Sequence, residues 1–242
     1  MNLIIDVGNS FVKIAVFKED RLLVVEKSSE GTFINKISKL FQSYPSVKQI
    51  MVSSVGKLSH LQTKALSVFA PVSVLGTNTK VPFKNAYATP NTLGMDRVAL
   101  IAAAYYKYKG ENCLVIDAGS CITYDFIDKK GVYHGGAIAP GLHMRLKAMH
   151  TFTANLPLID SLEFTDFIGD STKGCMISGA VNGSVNEIEA TILQYQERFK
   201  DLTVILTGGD SHFLSKRLKS SIFAHPNFLL EGINYILELN KH

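Results

Sequence analysis

Apolar runs that end on an aspartate and break at a glycine recur along this chain. Leu3-Ile4-Ile5-Asp6-Val7-Gly8-Asn9-Ser10 stands at the start, and Leu114-Val115-Ile116-Asp117-Ala118-Gly119-Ser120 near the middle. Each continues into a second apolar stretch, Phe11 to Phe17 and Ile122 to Ile127. Short apolar runs bounded by turn residues predict strands, so each unit reads as strand, tight turn, strand. A third strand is predicted over Arg21 to Lys27. Phe33, Ile37, Leu40 and Phe41 recur at helical spacing, with Pro45 just beyond. Val47 to Ser53 predicts a strand, Leu58 to Phe69 a helix and Val72 to Leu75 a strand. Residues 76–92 are rich in Thr, Asn and Pro and predict a long loop, and Gly94 to Lys107 predicts a helix.

The second half restarts this pattern. Strands are predicted at 113–117, 121–127 and 131–137, with Lys129-Lys130-Gly131 as a turn between the last two. Pro140 is expected to open a helix to Ala154, and Asp170 or Ser171 to cap a long helix to Phe199. Gly179 and Gly183 lie inside that helix, where each glycine costs about 1 kcal/mol relative to alanine. Their spacing suggests close approach of another helix or subunit. Val204 to Leu206 and Ser221 to Ala224 predict strands, and Asn227 caps a final helix, Phe228 to Leu239. The offset from Asp6 to Asp117 is 111 residues, too long for a solenoid repeat. It implies a duplicated α/β domain, with one domain over 1–109 and a second over 110–242.

Composition narrows the class. Apolar residues make up 46% and charged residues 19% of the chain, which fits a globular core rather than disorder. The net charge of +4 is scattered and forms no stripe, so no nucleic-acid surface is expected. Three cysteines without CxxC spacing suggest a reducing compartment. The N-terminal apolar stretch has no basic residues before it and is interrupted by Asp6, so it is not expected to be a signal peptide. No run reaches the roughly 18 apolar residues of a membrane helix. The expectation is a cytoplasmic protein with no membrane partner.

Several turns can carry chemistry. In Asp6-Val7-Gly8-Asn9-Ser10, with Lys13 after it, the carboxylate can hold Mg²⁺ through water. Gly8, Asn9 and Ser10 can offer donors to the β- and γ-phosphates of a nucleotide, and Lys13 adds positive charge. The same residues also suit a plain hairpin. Asp117-Ala118-Gly119-Ser120 repeats both readings, with Ser120 as donor and Asp117 as cation ligand. Cys121, next in sequence, reads as a small buried residue. Gly94-Met95-Asp96-Arg97 opens a helix, whose N-terminus suits an anion; Asp96 can take a proton from an alcohol and Arg97 can hold a phosphate or a substrate. An acidic first turn with an exposed arginine is the plainer alternative. Gly135-Gly136-Ala137-Ile138-Ala139-Pro140-Gly141-Leu142 and Thr207-Gly208-Gly209-Asp210 are candidate cleft linings, or simply tight strand-to-helix turns. His143 and His150 share a helix face but have no accompanying ligand pattern. There is no P-loop and no GxSxG elbow.

Together these motifs resemble the sugar kinase–heat shock–actin superfamily, with its two duplicated ribonuclease H-like halves. Their order resembles the type III pantothenate kinases, which carry D-x-G-N-[ST]-x-x-K, G-x-D-R, D-x-G-[ST], G-G-x-I-x-P-G, G-x-[ST]-T and T-G-G. All six are present, the fifth as Gly169-Asp170-Ser171-Thr172, and the resemblance spans essentially the whole chain. It implies two actin-like ATPase domains with a nucleotide cleft between them, and ATP-dependent phosphorylation of pantothenate. It implies ATP binding by Asp6, Val7, Gly8, Asn9, Ser10, Phe11, Val12, Lys13 and Ser120. It implies pantothenate binding by Tyr87, Gly94, Met95, Arg97 and Thr172, with Asp96 as general base. It further implies a monovalent cation, K⁺ or NH₄⁺, at Asp117, and a homodimer. Ser10 and Ser120 replace the more frequent Thr, Phe11 a frequent Asn and Cys121 a frequent Ala. A sugar kinase of the same superfamily, or a nucleotide-binding regulator without transfer chemistry, are the rival readings.

Overall fold

A computed structural model describes residues 1–8, 11–29, 31–54, 64–163 and 166–241. Two mixed sheets organise the chain. The first has the order β3-β2-β1-β4-β5, built from β1 (Asn2–Val7), β2 (Val12–Lys18), β3 (Arg21–Ser28), β4 (Gln49–Ser54) and β5 (Val72–Val74). β1 runs antiparallel to β2 and parallel to β4. Helix α1 (Phe33–Ser43) buries Phe33, Ile37 and Leu40 against this sheet, in a core with Leu3, Ile5, Ile14 and Val52. Most of the predicted Leu58–Phe69 helix lies outside the described residues; residues 64–66 are helical.

Within the predicted long loop the chain makes a two-residue strand, β6 (Lys84–Asn85), and a short 3-10 turn at Pro90–Thr92. Both are too short to leave a periodic signal. Helix α2 (Met95–Lys107) follows and buries every residue from Arg97 to Ala104.

The second sheet has the order β11-β10-β7-β8-β9-β6. Its members are β7 (Asn112–Ala118), β8 (Cys121–Ile127), β9 (Val132–Pro140), β10 (Leu202–Thr207) and β11 (Phe223–Ala224), with β6 beside the start of β9. Read from β9 to β11, the strand order and the antiparallel first hairpin repeat those of the first sheet. Helices α3 (Leu142–Phe152) and α4 (Thr172–Arg198) bury Leu142, Leu146, Ile177, Val181, Ile188 and Ile192 against one face of it. Ser171 caps α4, its Oγ accepting the Gly174 N–H at 3.1 Å, and a short helix, α5 (Ser211–Ser215), follows β10. Pro140 ends β9 instead of opening α3, and Gly141 is the helix N-cap. A fixed φ near −65° suits a strand end as well as a helix start, so sequence alone did not separate the two. Cys121 is half-buried, not buried, because it sits at the exposed start of β8.

Contacts divide the chain into two compact units. One comprises Met1–Gly110, Lys130–His134 and Asn227–His242; the other comprises Glu111–Lys129 and Gly135–Pro226. The first unit thus takes in helix α6 (Phe228–Leu239), which the division at 109 and 110 had left with the second domain. A Cβ on Gly232 would overlap the Ala99 carbonyl, so glycine lets α6 lie directly on α2. Asn2 Nδ2 donates to Asn234 Oδ1 and to Glu238 Oε1, both at 2.7 Å, tying α6 to β1.

Candidate active site

The first unit carries two of the expected sites. Asp6 is the penultimate residue of β1, opposite Lys13 across the antiparallel pair, and directly opposed residues share a sheet face. Only 9% of Asp6 is exposed. Burial pushes its carboxyl from 3.8 up to about 6; the Lys13 charge pulls it down and the Asp96 charge pushes it further up. The structure therefore brings Lys13 and Asp96 within electrostatic reach of Asp6. The Gly8 N–H donates to the Phe11 carbonyl at 3.2 Å and closes the turn. Val7 and Val12, which flank this segment, are core residues, and Phe11 is 59% exposed. Asn9 and Ser10 lie outside the described residues.

Helix α2 positions the second site. Gly94 is its extended N-cap, and Asp96 lies in the first turn, with Oδ1 accepting the Arg97 N–H at 2.8 Å. A Cβ on Gly94 would overlap Asp96 Oδ1, so glycine leaves the carboxylate its place over the helix start. Met95 is half-buried. Arg97 is 5% exposed and its guanidinium stands 5.6 Å from the Tyr87 ring centroid. Tyr87 in turn stacks on Tyr133 at 6.1 Å and 17°. Phe83 meets Tyr133 edge-on at 6.0 Å. The result is a buried cation backed by aromatic rings, one residue after a carboxylate held at the helix start.

In the second unit two separated motifs converge on the Asp117–Ser120 turn. Asp117 lies near the end of β7, opposite Thr123 on β8 and Thr207 on β10. The Gly119 N–H donates to the Cys121 carbonyl at 2.9 Å. Gly208 has φ +96°, and a Cβ there would overlap the Ala118 carbonyl and Asp117 Oδ1. The Asp210 N–H donates to the same Ala118 carbonyl at 2.9 Å. Burial raises the Asp210 carboxyl, partly offset by the His143 charge. From the other side, the Gly141 N–H donates to the Ser120 carbonyl at 3.1 Å, and a Cβ on Gly141 would overlap the Gly119 and Ser120 carbonyls. Ser120 itself is exposed. Thr172 is the first residue of α4 and is exposed, behind a Gly169 whose backbone packs on Gly174 and Cys175.

Cation chemistry can be tested on the donors present. Among the described residues there is no cluster of three or more His, Cys, Asp or Glu able to cage a metal. A single buried carboxylate, Asp6, suits Mg²⁺, which keeps most of its waters and takes substrate phosphates as ligands. Beside Asp117, the Thr123 hydroxyl is buried without a hydrogen-bond partner among the described residues. A carboxylate with an unsatisfied hydroxyl next to it fits an oxygen-coordinated cation.

The type III pantothenate kinase family pattern matches residues 2–194. The chain belongs to the type III pantothenate kinase family. A Christiangramia forsetii protein named type III pantothenate kinase is 49% identical over 241 residues, spanning 100% of this chain and 99% of its own. Among solved structures, a Campylobacter jejuni protein described as a Baf family transcriptional activator superposes with a TM-score of 0.64 at 22% identity, over 98% of each chain. A glucokinase from an Antarctic psychrotroph gives 0.54 at 11% identity, over 99% of each chain. At those identities the likeness concerns fold alone, and the fold is that of the actin-like ATPases and sugar kinases. As a type III pantothenate kinase the chain transfers phosphate from ATP to pantothenate, which begins coenzyme A biosynthesis.

Sequence reasoning missed how this kinase supports its turns. Tyr133, which backs Tyr87, looked like an ordinary strand residue. Gly141 and Gly208 were noted as cleft linings, but their close packing on the Asp117–Ser120 turn joins residues far apart in sequence, and no local pattern encodes it.

Proposed function

We propose that Asp96 is the general base of this pantothenate kinase and that the two aspartate turns hold ATP. The first turn of α2 carries the reading: one Asp96 oxygen is tied to the Arg97 N–H, and the Asp96 charge acts on the buried Asp6. In this mechanism the Asp96 carboxylate accepts the proton of the primary hydroxyl of pantothenate as that oxygen attacks the γ-phosphorus. The bond from phosphorus to the bridging oxygen breaks and ADP departs, leaving 4′-phosphopantothenate. Fixing the base costs little at the moment of reaction, because its hydrogen bond and the helix geometry already orient it.

Tyr87, Gly94, Met95, Arg97 and Thr172 would bind pantothenate, with Arg97 pairing its carboxylate. Residues 6–13 and Ser120 would bind ATP, with Lys13 offsetting phosphate charge. Asp6 would hold Mg²⁺ through water, and Asp117 with the Thr123 hydroxyl would hold K⁺ or NH₄⁺. Cations held there would neutralise phosphoryl charge, where most of the catalysis of such transfers lies. We further infer a homodimer: Phe152, Leu158, Phe167 and Ile168 of the second unit are all more than half exposed and offer apolar side chains to a second copy. Free cysteines and the use of ATP support a cytoplasmic setting. No helix among the described residues is long and apolar enough to cross a membrane.

The test is ADP release with ATP, Mg²⁺ and pantothenate, in K⁺ and in Na⁺, for wild type and Asp96→Asn. Turnover that requires K⁺ and collapses in the variant supports both assignments. Turnover that survives Asp96→Asn moves the base elsewhere.

A further inference from the structure

The Ser120 turn is braced from a distance. Its Ser120 carbonyl accepts the Gly141 N–H at 3.1 Å, and Gly141 packs too closely on it for any side chain. The preceding carbonyl, that of Pro140, accepts a hydrogen bond from Arg145 Nε at 2.8 Å. The same guanidinium reaches Glu187 Oε2 on α4 through Nη2 at 2.6 Å. Glu187 Oε1 accepts the Tyr124 hydroxyl at 2.9 Å, and Tyr124 lies on β8, four residues beyond Ser120. Backbone and hydrogen bonds thus close a ring from Ser120 through Tyr124, Glu187, Arg145, Pro140 and Gly141 back to Ser120.

Each member suits that ring. Burial and the Glu187 carboxylate raise the Tyr124 phenol above its ordinary value of 10, so it stays a donor. A guanidinium presents Nε and Nη donors in a fixed fork, which lets one side chain hold a carbonyl and a carboxylate at once; an ammonium cannot keep that geometry. Gly183 lies one turn before Glu187 on the same helix face and borders the guanidinium; a Cβ there would stand 4.0 Å from Arg145 Nη1, an ordinary contact.

We propose that Arg145 is a positioning residue for the nucleotide: by clamping the Pro140–Gly141 corner, it holds the Ser120 turn in the conformation that receives ATP. This rests on the assignment of Ser120 as an ATP contact. Arg145→Lys keeps the charge and the stem and removes the fork. The expected result is an ATP KM raised about ten-fold, in line with a lost charge-assisted hydrogen bond, with the pantothenate KM and the melting temperature nearly unchanged. Tyr124→Phe, which loosens Glu187 alone, moves the ATP KM in the same direction by less. An ATP KM unchanged in both variants overturns the proposal. So does a loss shared equally by both substrates, or one that only tracks the folded fraction. Ser120→Ala is run alongside. If it weakens ATP while Arg145→Lys does not, the ATP contact stands and the positioning role falls. If it leaves ATP untouched, the assignment of Ser120 fails and the positioning role fails with it.

Discussion

Replacing Asp6 with asparagine should make the ligand-free enzyme more stable while ending its use of Mg²⁺ and ATP. The Asp6 carboxyl titrates near 6 in the fold, against 3.8 for an unperturbed aspartate, chiefly because burial disfavours its charge. A difference of about two pH units corresponds to about 3 kcal/mol of strain when the group is ionised. The sign follows from proton binding. Between about pH 4 and 6 the folded chain holds a proton that the unfolded chain has released, so wild-type stability falls as pH rises through that window and then levels off. Asparagine keeps the shape without the charge, though its buried amide takes back part of the gain, which leaves about 1–3 kcal/mol. For a chain of this size each kcal/mol moves the melting temperature by about 2–4 °C. Thermal melts without nucleotide or Mg²⁺ should therefore place Asp6→Asn about 2–12 °C above wild type near pH 8, with the gap closing near pH 4. Adding Mg²⁺ and ATP should then raise wild type and not the variant. A variant no more stable than wild type near pH 8, or a gap that persists in acid, would refute the argument that burial strains this carboxylate.

Other residues give sharper local tests. Arg97→Lys keeps a charge but loses the guanidinium that stands over the Tyr87 ring, and the pantothenate KM should rise about ten-fold with little change in kcat, read from steady-state kinetics. Gly208→Ala forces a Cβ into the Ala118 carbonyl at a positive φ, and denaturant unfolding should show a loss of about 2–4 kcal/mol. Asp117→Asn should remove the preference for K⁺ over Na⁺ in ADP release; a preserved preference would place the monovalent cation elsewhere.

The strand-turn-strand units, the cap at Ser171 and the helix carrying Asp96 were legible because each depends on neighbours in sequence. Short apolar runs ending at turn residues, a hydroxyl before a helix and a glycine before an acidic first turn are local signals. Other features were not legible, and for one shared reason. The fit of Gly141 and Gly208 against the Asp117–Ser120 turn, and the stacking of Tyr133 behind Tyr87, are contacts between segments that only the tertiary fold brings together. β6 escaped notice because two residues cannot show a period, and Pro140 because its fixed φ serves a strand end and a helix start alike. The motifs pointed to the chemistry, while the braces behind the motifs needed coordinates.

The seating of α6 on α2 has a consequence for synthesis. Helix α2 buries a continuous row from Arg97 to Ala104, and part of its cover comes from residues 228–239, translated more than a hundred codons later. Vectorial folding on the ribosome can assemble the β1–β5 sheet early, but the cover of α2 is incomplete until α6 leaves the exit tunnel. The first unit therefore cannot finish folding as its own residues emerge, and the Ala99–Gly232 contact waits on synthesis of the whole intervening second unit.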